Sequence, residues 1–193
     1  MNSSFFKFIS PMVFLPFFLL FFVVFFFSPF LTSETDFPIF ISNHNGFIWP
    51  VPNANTITSY FGYRKAPTSG SSTYHSGIDI AANVGSPIVA VISGEIIDTG
   101  FRGAGGYTIT LQNDIYTISY CHVSPLFLVS IGDVVSQGDR IGSVGPKNVY
   151  GVTNNPYKDS NGNPTNGATT GPHLHFTLKI NNQAVNPLDY LSF

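Results

Sequence analysis

The chain has 193 residues, 9% of them charged, and a formal net charge of −2. This length accommodates one globular domain beside a targeting segment, so a second enzymatic domain is not expected. Because there is no basic stripe of the kind that neutralises phosphate groups, we expect no nucleic-acid partner.

The first segment in chain order is apolar and rich in phenylalanine. Residues 8–31 contain no charged side chain, and an uncharged stretch of this length spans a hydrocarbon layer of roughly 30 Å as a helix. Lys7 precedes the segment, whereas Glu34 and Asp36 follow it, which predicts that the rest of the chain lies outside the cytoplasm. We therefore predict an N-terminal transmembrane helix within residues 1–31 that anchors the protein. A cleaved signal peptide is the alternative.

A short polar segment, residues 32–46, follows the apolar one. It lacks clear periodicity and is predicted to be a tether between the membrane and the folded domain. It contains His44, whose side chain we expect to be solvated. The folded domain is assigned to residues 47–193.

The folded domain is predicted to be mainly β. Two polar pairs, Asn113-Asp114 and Asn181-Asn182, indicate hairpin turns and hence antiparallel pairing. No window of helical length carries a sustained apolar face. We therefore expect an antiparallel β-sheet or β-sandwich in a single domain. The segments with strand character are 56–61, 78–82, 87–99, 107–112, 116–122, 139–144 and 173–180.

A long segment without aliphatic periodicity, residues 146–168, interrupts the strands. Loops of this length in a compact domain are usually functional or disordered. Asp159, Asn161 and Asn163 resemble part of a calcium-binding loop, but no glutamate closes the pattern at Thr170. We therefore favour a structural turn.

Two histidine motifs about a hundred positions apart predict a catalytic metal site. The second is His173-Leu174-His175, and in a strand both imidazoles lie on one face while Leu174 and Phe176 face the core. A catalytic zinc site needs three imidazole or carboxylate ligands and one open position. The two motifs together supply three imidazoles and one carboxylate, which is one imidazole more than a three-ligand site requires.

The first motif is His75-Ser76-Gly77-Ile78-Asp79. If the segment is extended, His75 and Asp79 share a face, and Gly77 is expected to leave space for the metal. His122 taken alone would be interpreted as a satisfied core or turn histidine. However, four of the five histidines fall at strand positions that can converge.

Two further residues have structural interpretations. Cys121 is the only cysteine, which excludes an intramolecular disulfide. Strand alternation predicts that its side chain points away from the face of Tyr120 and His122 and fills a small buried space. Arg64, within Phe61-Gly62-Tyr63-Arg64, could touch a substrate in a cleft, but we favour an exposed arginine on a β surface, outside the catalytic set.

The order and number of these motifs resemble those of the lysostaphin or LytM-type zinc metallopeptidases, which cleave peptides of bacterial peptidoglycan. The resemblance runs from Trp49 to Leu191. It is carried by Trp49-Pro50-Val51-Pro52, Ser59-Tyr60-Phe61-Gly62-Tyr63-Arg64, His75 to Ala81, Tyr120 to Ser124, the glycines of 134–145, Gly171 to Phe176, and Asn186-Pro187.

The resemblance implies a LytM-like fold of the duplicated-hybrid-motif type and one zinc ion held by His75, Asp79 and His175. It also implies that His122 and His173 lie beside the reacting water and the scissile carbonyl, as proton-transfer and oxyanion-stabilising groups. Histidine suits this role because it titrates near neutral pH. The implied function is a peptidoglycan endopeptidase in the cell envelope, acting in cell-wall remodelling or lysis outside the cytoplasm.

The chain departs from the commonest family pattern in three places. Cys121 and Val123 flank His122 where Ala and Leu are common, Thr177 stands where Glu is common, and the 146–168 segment is longer than usual. None of these changes removes an implied ligand or catalytic histidine.

Two non-catalytic interpretations remain open. Some proteins that share this fold regulate or scaffold the envelope, as amidase activators or sporulation-channel components, but these characteristically lack part of the metal set. A glycan-binding or wall-binding β module would explain exposed aromatic residues and a long loop. It would not require two convergent histidine motifs.

Overall fold

The structure is a computed structural model that describes residues 46–68 and 70–192. The predicted anchor of residues 1–31 lies outside the described residues, as does the predicted tether except for Gly46. Among the helices of the described part, none has the length and apolar character needed to cross a membrane.

The described chain is mainly β, as predicted. Apart from strands it contains two short 3₁₀ turns, Gly103–Gly105 and Pro187–Asp189. In chain order the strands are β1 (Phe47–Ile48), β2 (Thr56–Ser59), β3 (Gly62–Tyr63), β4 (Tyr74–His75), β5 (Ile78–Ala81), β6 (Pro87–Val89), β7 (Gly94–Phe101), β8 (Tyr107–Asn113), β9 (Tyr116–Cys121), β10 (Val134–Val135), β11 (Arg140–Ser143), β12 (His173–Ile180), β13 (Gln183–Val185) and β14 (Leu191–Ser192).

One eight-stranded sheet organises the domain. Its order is β10-β7-β8-β9-β12-β5-β2, and β13 pairs with β12 off this path. All of its pairs are antiparallel, which confirms the sequence prediction for this sheet. Smaller pairs are β11-β6, β3-β4 and the parallel pair β1-β14.

The predicted hairpins are both present. Asn181 and Asn182 form the turn between β12 and β13 with φ of 49° and 65°, the conformation of a type I′ turn that asparagine tolerates. The turn between β8 and β9 lies one residue later than predicted, at Asp114-Ile115, since Asn113 still pairs with β9.

The predicted strand 87–99 is divided. β6 pairs with β11, whereas β7 belongs to the large sheet. Between them the Val91 N–H donates to Tyr120 Oη at 2.9 Å, and the Ala90 N–H donates to the Asp139 carbonyl. The two backbone N–H groups thus have hydrogen-bond partners although they lie outside a strand. The chain can therefore change direction between β6 and β7 while Ala90 and Val91 remain fully buried.

The alternation predicted for β12 is confirmed. Leu174, Phe176 and Leu178 are fully buried in the core, and His173 and His175 lie on the opposite face. Burial of each such apolar side chain stabilises the fold by about 1.5–3 kcal/mol. Packing of these three side chains in the core therefore fixes the position of the strand that carries the two histidines.

The first histidine motif is not one extended strand. β4 ends at His75 and β5 begins at Ile78, with a bend at Ser76-Gly77. A Cβ atom on Gly77 would lie only 2.8 Å from the carbonyl carbon of Phe176 and would also clash with its oxygen. The expectation that Gly77 leaves space for a metal was therefore wrong. The glycine lets the β4–β5 corner cross the backbone of β12.

We expect Gly77→Ala to lower the free energy of unfolding by about 3 kcal/mol, because the β12 backbone cannot yield as a flexible side chain would. Gly171→Ala is the matched control. A Cβ there meets nothing within 4 Å, and its effect should stay within about 0.5 kcal/mol. Urea denaturation measures both variants, and equal midpoints would contradict the packing argument.

Candidate metal centre

Three predicted ligands come together on the open face of the sheet. His175 on β12 is the direct cross-strand neighbour of Asp79 on β5, and His75 reaches them from the end of β4. His75 Nε2 lies 2.9 Å from His175 Nδ1 and 3.1 Å from Asp79 Oδ1, and His175 Nδ1 lies 2.9 Å from the same oxygen. Two nitrogens and one carboxylate oxygen thus converge on a single point.

The cluster fits a zinc ion. Two imidazoles and one carboxylate with an open fourth position form a ligand set of catalytic zinc sites. Ligand bonds of about 2.0–2.1 Å in tetrahedral geometry place neighbouring ligand atoms about 3.3 Å apart. The observed separations of 2.9–3.1 Å are close to this value.

The outer nitrogens of both imidazoles are held by the protein. His75 Nδ1 lies 2.8 Å from the Tyr60 carbonyl, which can only accept, so this nitrogen carries a proton and Nε2 is the atom directed at the cluster. His175 Nε2 lies 3.0 Å from Thr177 Oγ1. Thr177, one of the departures from the family pattern, thus orients His175. Such outer contacts fix ligand tautomers in metal sites.

The protonation states of the cluster also suit a metal. Burial by itself would raise the pKa of Asp79, but hydrogen bonds to His175 and His75 outweigh it and hold that pKa far below its usual range. Burial lowers the pKa of His175, although Asp79 partly opposes this shift. At neutral pH the cluster therefore contains an anionic carboxylate and a neutral imidazole, the forms that bind metals.

His122 directly follows β9 and is buried. Its Nδ1 donates to the Asn166 carbonyl at 2.7 Å, which leaves Nε2 with a free lone pair. Its ring centroid is 4.6 Å from that of His173 and 6.2 Å from that of His175. Burial, followed by the influence of these two rings, lowers the pKa of His122 to about 3. The ring is thus neutral and adjoins the cluster.

His173 lies at the start of β12. Its Nδ1 is 2.9 Å from the Gly171 carbonyl, so it donates there, and its Nε2 is 3.6 Å from Asp79 Oδ1. The structure therefore brings all five predicted site residues into one cleft. Their individual roles remain predictions.

The cleft is an open groove of about 840 Å³. Two chain segments that are far apart in sequence line it, one around Pro67 and the other around Pro172. Hydroxyl side chains from three neighbouring strands, Thr110, Ser119 and Thr177, line it as well. The groove is thus open to solvent and offers several hydroxyl groups.

The family model of Peptidase family M23 matches residues 73–187, more than half of the chain and the part that contains all five site residues. The chain belongs to peptidase family M23. The resemblance inferred from the sequence is therefore confirmed for the family.

Several proteins with named activities are similar to this M23 domain. The DD-carboxypeptidase/endopeptidase Mpg of Neisseria meningitidis serogroup B is 35% identical over 134 residues, which cover 68% of this chain and 26% of that protein. The peptidoglycan DD-endopeptidase ShyB of Vibrio cholerae is 30% identical over 143 residues, or 72% of this chain and 29% of that protein. The chain thus spans about a quarter of the length of the curated relatives it matches.

The fold is also similar to solved structures. The catalytic domain of lysostaphin from Staphylococcus simulans aligns with a TM-score of 0.55 and 27% identity, covering 69% of this chain and 90% of that one. The LytM-like character of the predicted fold is thereby confirmed.

Arg64 was predicted wrongly as a surface residue. In the M23 domain its side chain is only 21% exposed, and Nη1 lies 2.9 Å from Asp79 Oδ2. The same nitrogen contacts Ser59 Oγ. Because Asp79 follows fifteen residues later and lies on a different strand, the local sequence carried no signal of this contact.

Asn166, at the end of the 146–168 segment, was not identified from sequence. It is fully buried, and its carbonyl accepts from His122. Its side chain accepts from the Tyr107 N–H at 2.7 Å and donates to the Val123 carbonyl at 3.0 Å. Asn166 thus ties the long loop to β8 and to the residue after His122. The unusual length of the loop was the available signal.

We expect Asn166→Ala to lower the free energy of unfolding by about 2–4 kcal/mol, because it leaves the Tyr107 N–H and the Val123 carbonyl without their partner. Asn161→Ala, in the same loop at an exposed position, is the control and should change stability by less than about 0.5 kcal/mol. Chemical denaturation compares them. Equal losses in the two variants would contradict the assigned role of Asn166.

Cys121 is buried, as predicted, but its orientation differs from the prediction. It pairs across the sheet with His175 and lines the cleft, whereas Tyr120 is fully buried in the core. His122 adopts φ of 58°, which breaks strand alternation and leaves both side chains lining the cleft. Burial raises the pKa of the Cys121 thiol to about 11. The thiol is therefore protonated at neutral pH and has the low reactivity of a buried structural cysteine.

The turn around Asp159 has no geometry for a cation. Asp159 Oδ1 accepts from the backbone N–H groups of Asn161 and Asn163 at 3.0 and 2.9 Å, and Oδ2 lies 3.2 Å from Asn148 Nδ2. Lys147 Nζ is 3.7 Å away. Donors surround the carboxylate, which agrees with the predicted structural turn.

Proposed function

We propose that this chain is a zinc metalloendopeptidase that hydrolyses peptide bonds of bacterial peptidoglycan, in cell-wall remodelling or lysis. The observation that carries the proposal is the convergence of His75, Asp79 and His175 with two further imidazoles, His122 and His173, in one open cleft. A zinc site with a purely structural role would be closed by a fourth protein ligand and would have no use for neighbouring titratable groups.

The chemistry divides among these residues. Zinc held by His75, Asp79 and His175 would polarise a scissile carbonyl and lower the pKa of water. His122 Nδ1 donates to the Asn166 carbonyl, so its Nε2 is the atom that would accept a proton from the attacking water. His173 Nδ1 contacts the Gly171 carbonyl and its Nε2 lies 3.6 Å from Asp79 Oδ1, so Nε2 is placed beside the cluster, where it would stabilise a developing oxyanion.

The substrate class is argued from the cleft and from the relatives. A groove of about 840 Å³ that is open to solvent and lined by hydroxyl groups as well as apolar atoms admits an extended peptide. Similar proteins include one named as a peptidoglycan DD-endopeptidase and another named as a DD-carboxypeptidase/endopeptidase. Peptidoglycan peptides are therefore the proposed substrate.

The decisive experiment uses the full chain purified in mild detergent and incubated with purified peptidoglycan sacculi. We expect about one zinc per chain and release of fragments that mass spectrometry identifies as products of peptide-bond cleavage. Removal of the metal with a chelator should stop release, and zinc, but not magnesium, should restore it.

Two outcomes would overturn the proposal. Stoichiometric zinc without any release would favour a non-catalytic envelope regulator or scaffold of the same fold. Release that persists in the metal-free protein would exclude metal catalysis. Boiled protein controls for fragments that detach without enzyme.

We further propose that the protein acts outside the cytoplasm in the cell envelope, held by the apolar segment of residues 1–31. In cells that express the full chain, it should sediment with membranes. A protease added to spheroplasts should digest the M23 domain without lysis of the cells. Protection of the domain until lysis would contradict this location, and recovery of a shortened chain from the medium would indicate a cleaved signal peptide.

A further inference from the structure

The two oxygens of the Asp79 carboxylate have separate partners. Oδ1 faces His75 Nε2 and His175 Nδ1, whereas Oδ2 accepts from Arg64 Nη1 at 2.9 Å. We propose that Arg64 is a positioning residue that holds Asp79 as a one-oxygen ligand and thereby raises the affinity of the site for zinc. This inference rests on the proposed zinc site but not on the identity of the substrate.

Arg64 is itself fixed from two sides. Its backbone N–H donates to the Thr73 carbonyl at 2.8 Å, just beyond the β3–β4 pair. Its guanidinium also contacts Ser59 Oγ, and Ser59 is the cross-strand partner of Asp79 in the β2–β5 pair. The guanidinium is therefore held at the position from which it can reach Oδ2.

The effect of this contact on the carboxylate is geometric. Without a partner on Oδ2, the Asp79 carboxylate is free to rotate about its terminal torsion, which is broad and has no single preferred well. Rotation would carry Oδ1 away from His75 and His175 or bring both oxygens toward the metal. The bond from Arg64 opposes both movements, in the way that outer hydrogen bonds orient carboxylate ligands in metal sites.

One hydrogen-bond donor of the Arg64 side chain is left unpaired. Its Nε is buried and has no hydrogen-bond partner among the described residues. Buried donors are nearly always paired, so an unpaired one calls for an explanation. The contact from Nη1 to the Asp79 carboxylate explains why the guanidinium lies where its Nε has no partner.

Arg102 offers a matched comparison. It also lines the cleft and pairs with an aspartate, donating from Nε to Asp98 Oδ2 at 2.8 Å. However, its side chain is 51% exposed, and none of its hydrogen bonds reaches a member of the metal cluster. The two arginines thus differ in whether their aspartate belongs to the cluster.

The test measures zinc affinity of the full chain by competition with a chromophoric chelator, in the absence of substrate. Arg64→Gln should weaken zinc binding by about 10–100-fold, the usual effect of losing an outer partner of a ligand. Arg64→Lys should show a smaller loss, because it keeps the charge but not the planar fork. Arg102→Gln should bind zinc within about twofold of the native protein, since it contacts no ligand.

A second readout separates positioning from general damage. Cobalt substituted for zinc should give an altered visible absorption spectrum in Arg64→Gln and a native spectrum in Arg102→Gln. Native zinc affinity in Arg64→Gln, or an equal loss in Arg102→Gln, would overturn the inference. If Arg64→Gln does not fold, Arg64→Lys decides alone, and native affinity in that variant overturns the inference. Failure of the native chain to bind zinc would instead overturn the proposed zinc site.

Discussion

Replacement of His175 by alanine is expected to abolish both zinc binding and peptide hydrolysis. His175 Nδ1 is within 2.9 Å of both His75 Nε2 and Asp79 Oδ1, so its removal leaves only two of the three ligand atoms. The loss of zinc affinity should exceed the roughly 10–100-fold effect of removing an outer partner. Zinc content after dialysis and fragment release from sacculi measure the two effects.

The matched control for this variant is His44→Ala. It removes a histidine that the sequence places in the tether, and it should retain native zinc content and activity. His175 faces away from the core, so we expect His175→Ala to remain folded, which circular dichroism can verify. Fragment release at the native rate by a folded His175→Ala protein would refute the assignment of His175 as a ligand.

The second large effect is expected for His122, with a different signature. His122→Ala should retain zinc while hydrolysis slows by about 10²–10⁴-fold, the usual contribution of a general acid or base. The physical reason is that His122 supplies a neutral imidazole beside the cluster but is not among its three ligand atoms. The decrease should appear in kcat rather than in KM, because proton transfer is a feature of the transition state.

A structural control accompanies this prediction. Loss of the imidazole also leaves the buried Asn166 carbonyl without its donor, which costs about 1–3 kcal/mol. His122→Gln retains an amide donor but cannot shuttle a proton, so it should be slow even if its stability is native. Native turnover in His122→Gln would show that position 122 acts through structure alone.

Features that depend on neighbouring residues were predictable. The alternation in His173-Leu174-His175 places both histidines opposite the core, and β12 follows this pattern. The pair Asn181-Asn182 predicted a tight antiparallel turn, and both residues adopt the left-handed conformation such turns require. These outcomes follow from local sterics and hydrophobic periodicity.

Features that depend on distant residues were not predictable in this way. The interpretation of Arg64 as exposed failed because its partner Asp79 lies fifteen residues later on β5, and only the folded chain brings the two side chains within 2.9 Å. The position of Asn166 beside His122 depends on where a loop 44 residues further along the chain returns. We expected Gly77 to leave space for a metal, but it leaves space for the backbone of β12. The local sequence does not reveal that β12 approaches this residue.

The sequence by itself determined which residue types are available for zinc chemistry, which face of β12 its two histidines occupy and to which family the chain belongs. Only the tertiary structure decided which oxygen of Asp79 faces the histidines, which group orients His122 and what holds Arg64. The physical reason is that strand periodicity acts over two residues, whereas these contacts join segments that sheet register and loop closure bring together.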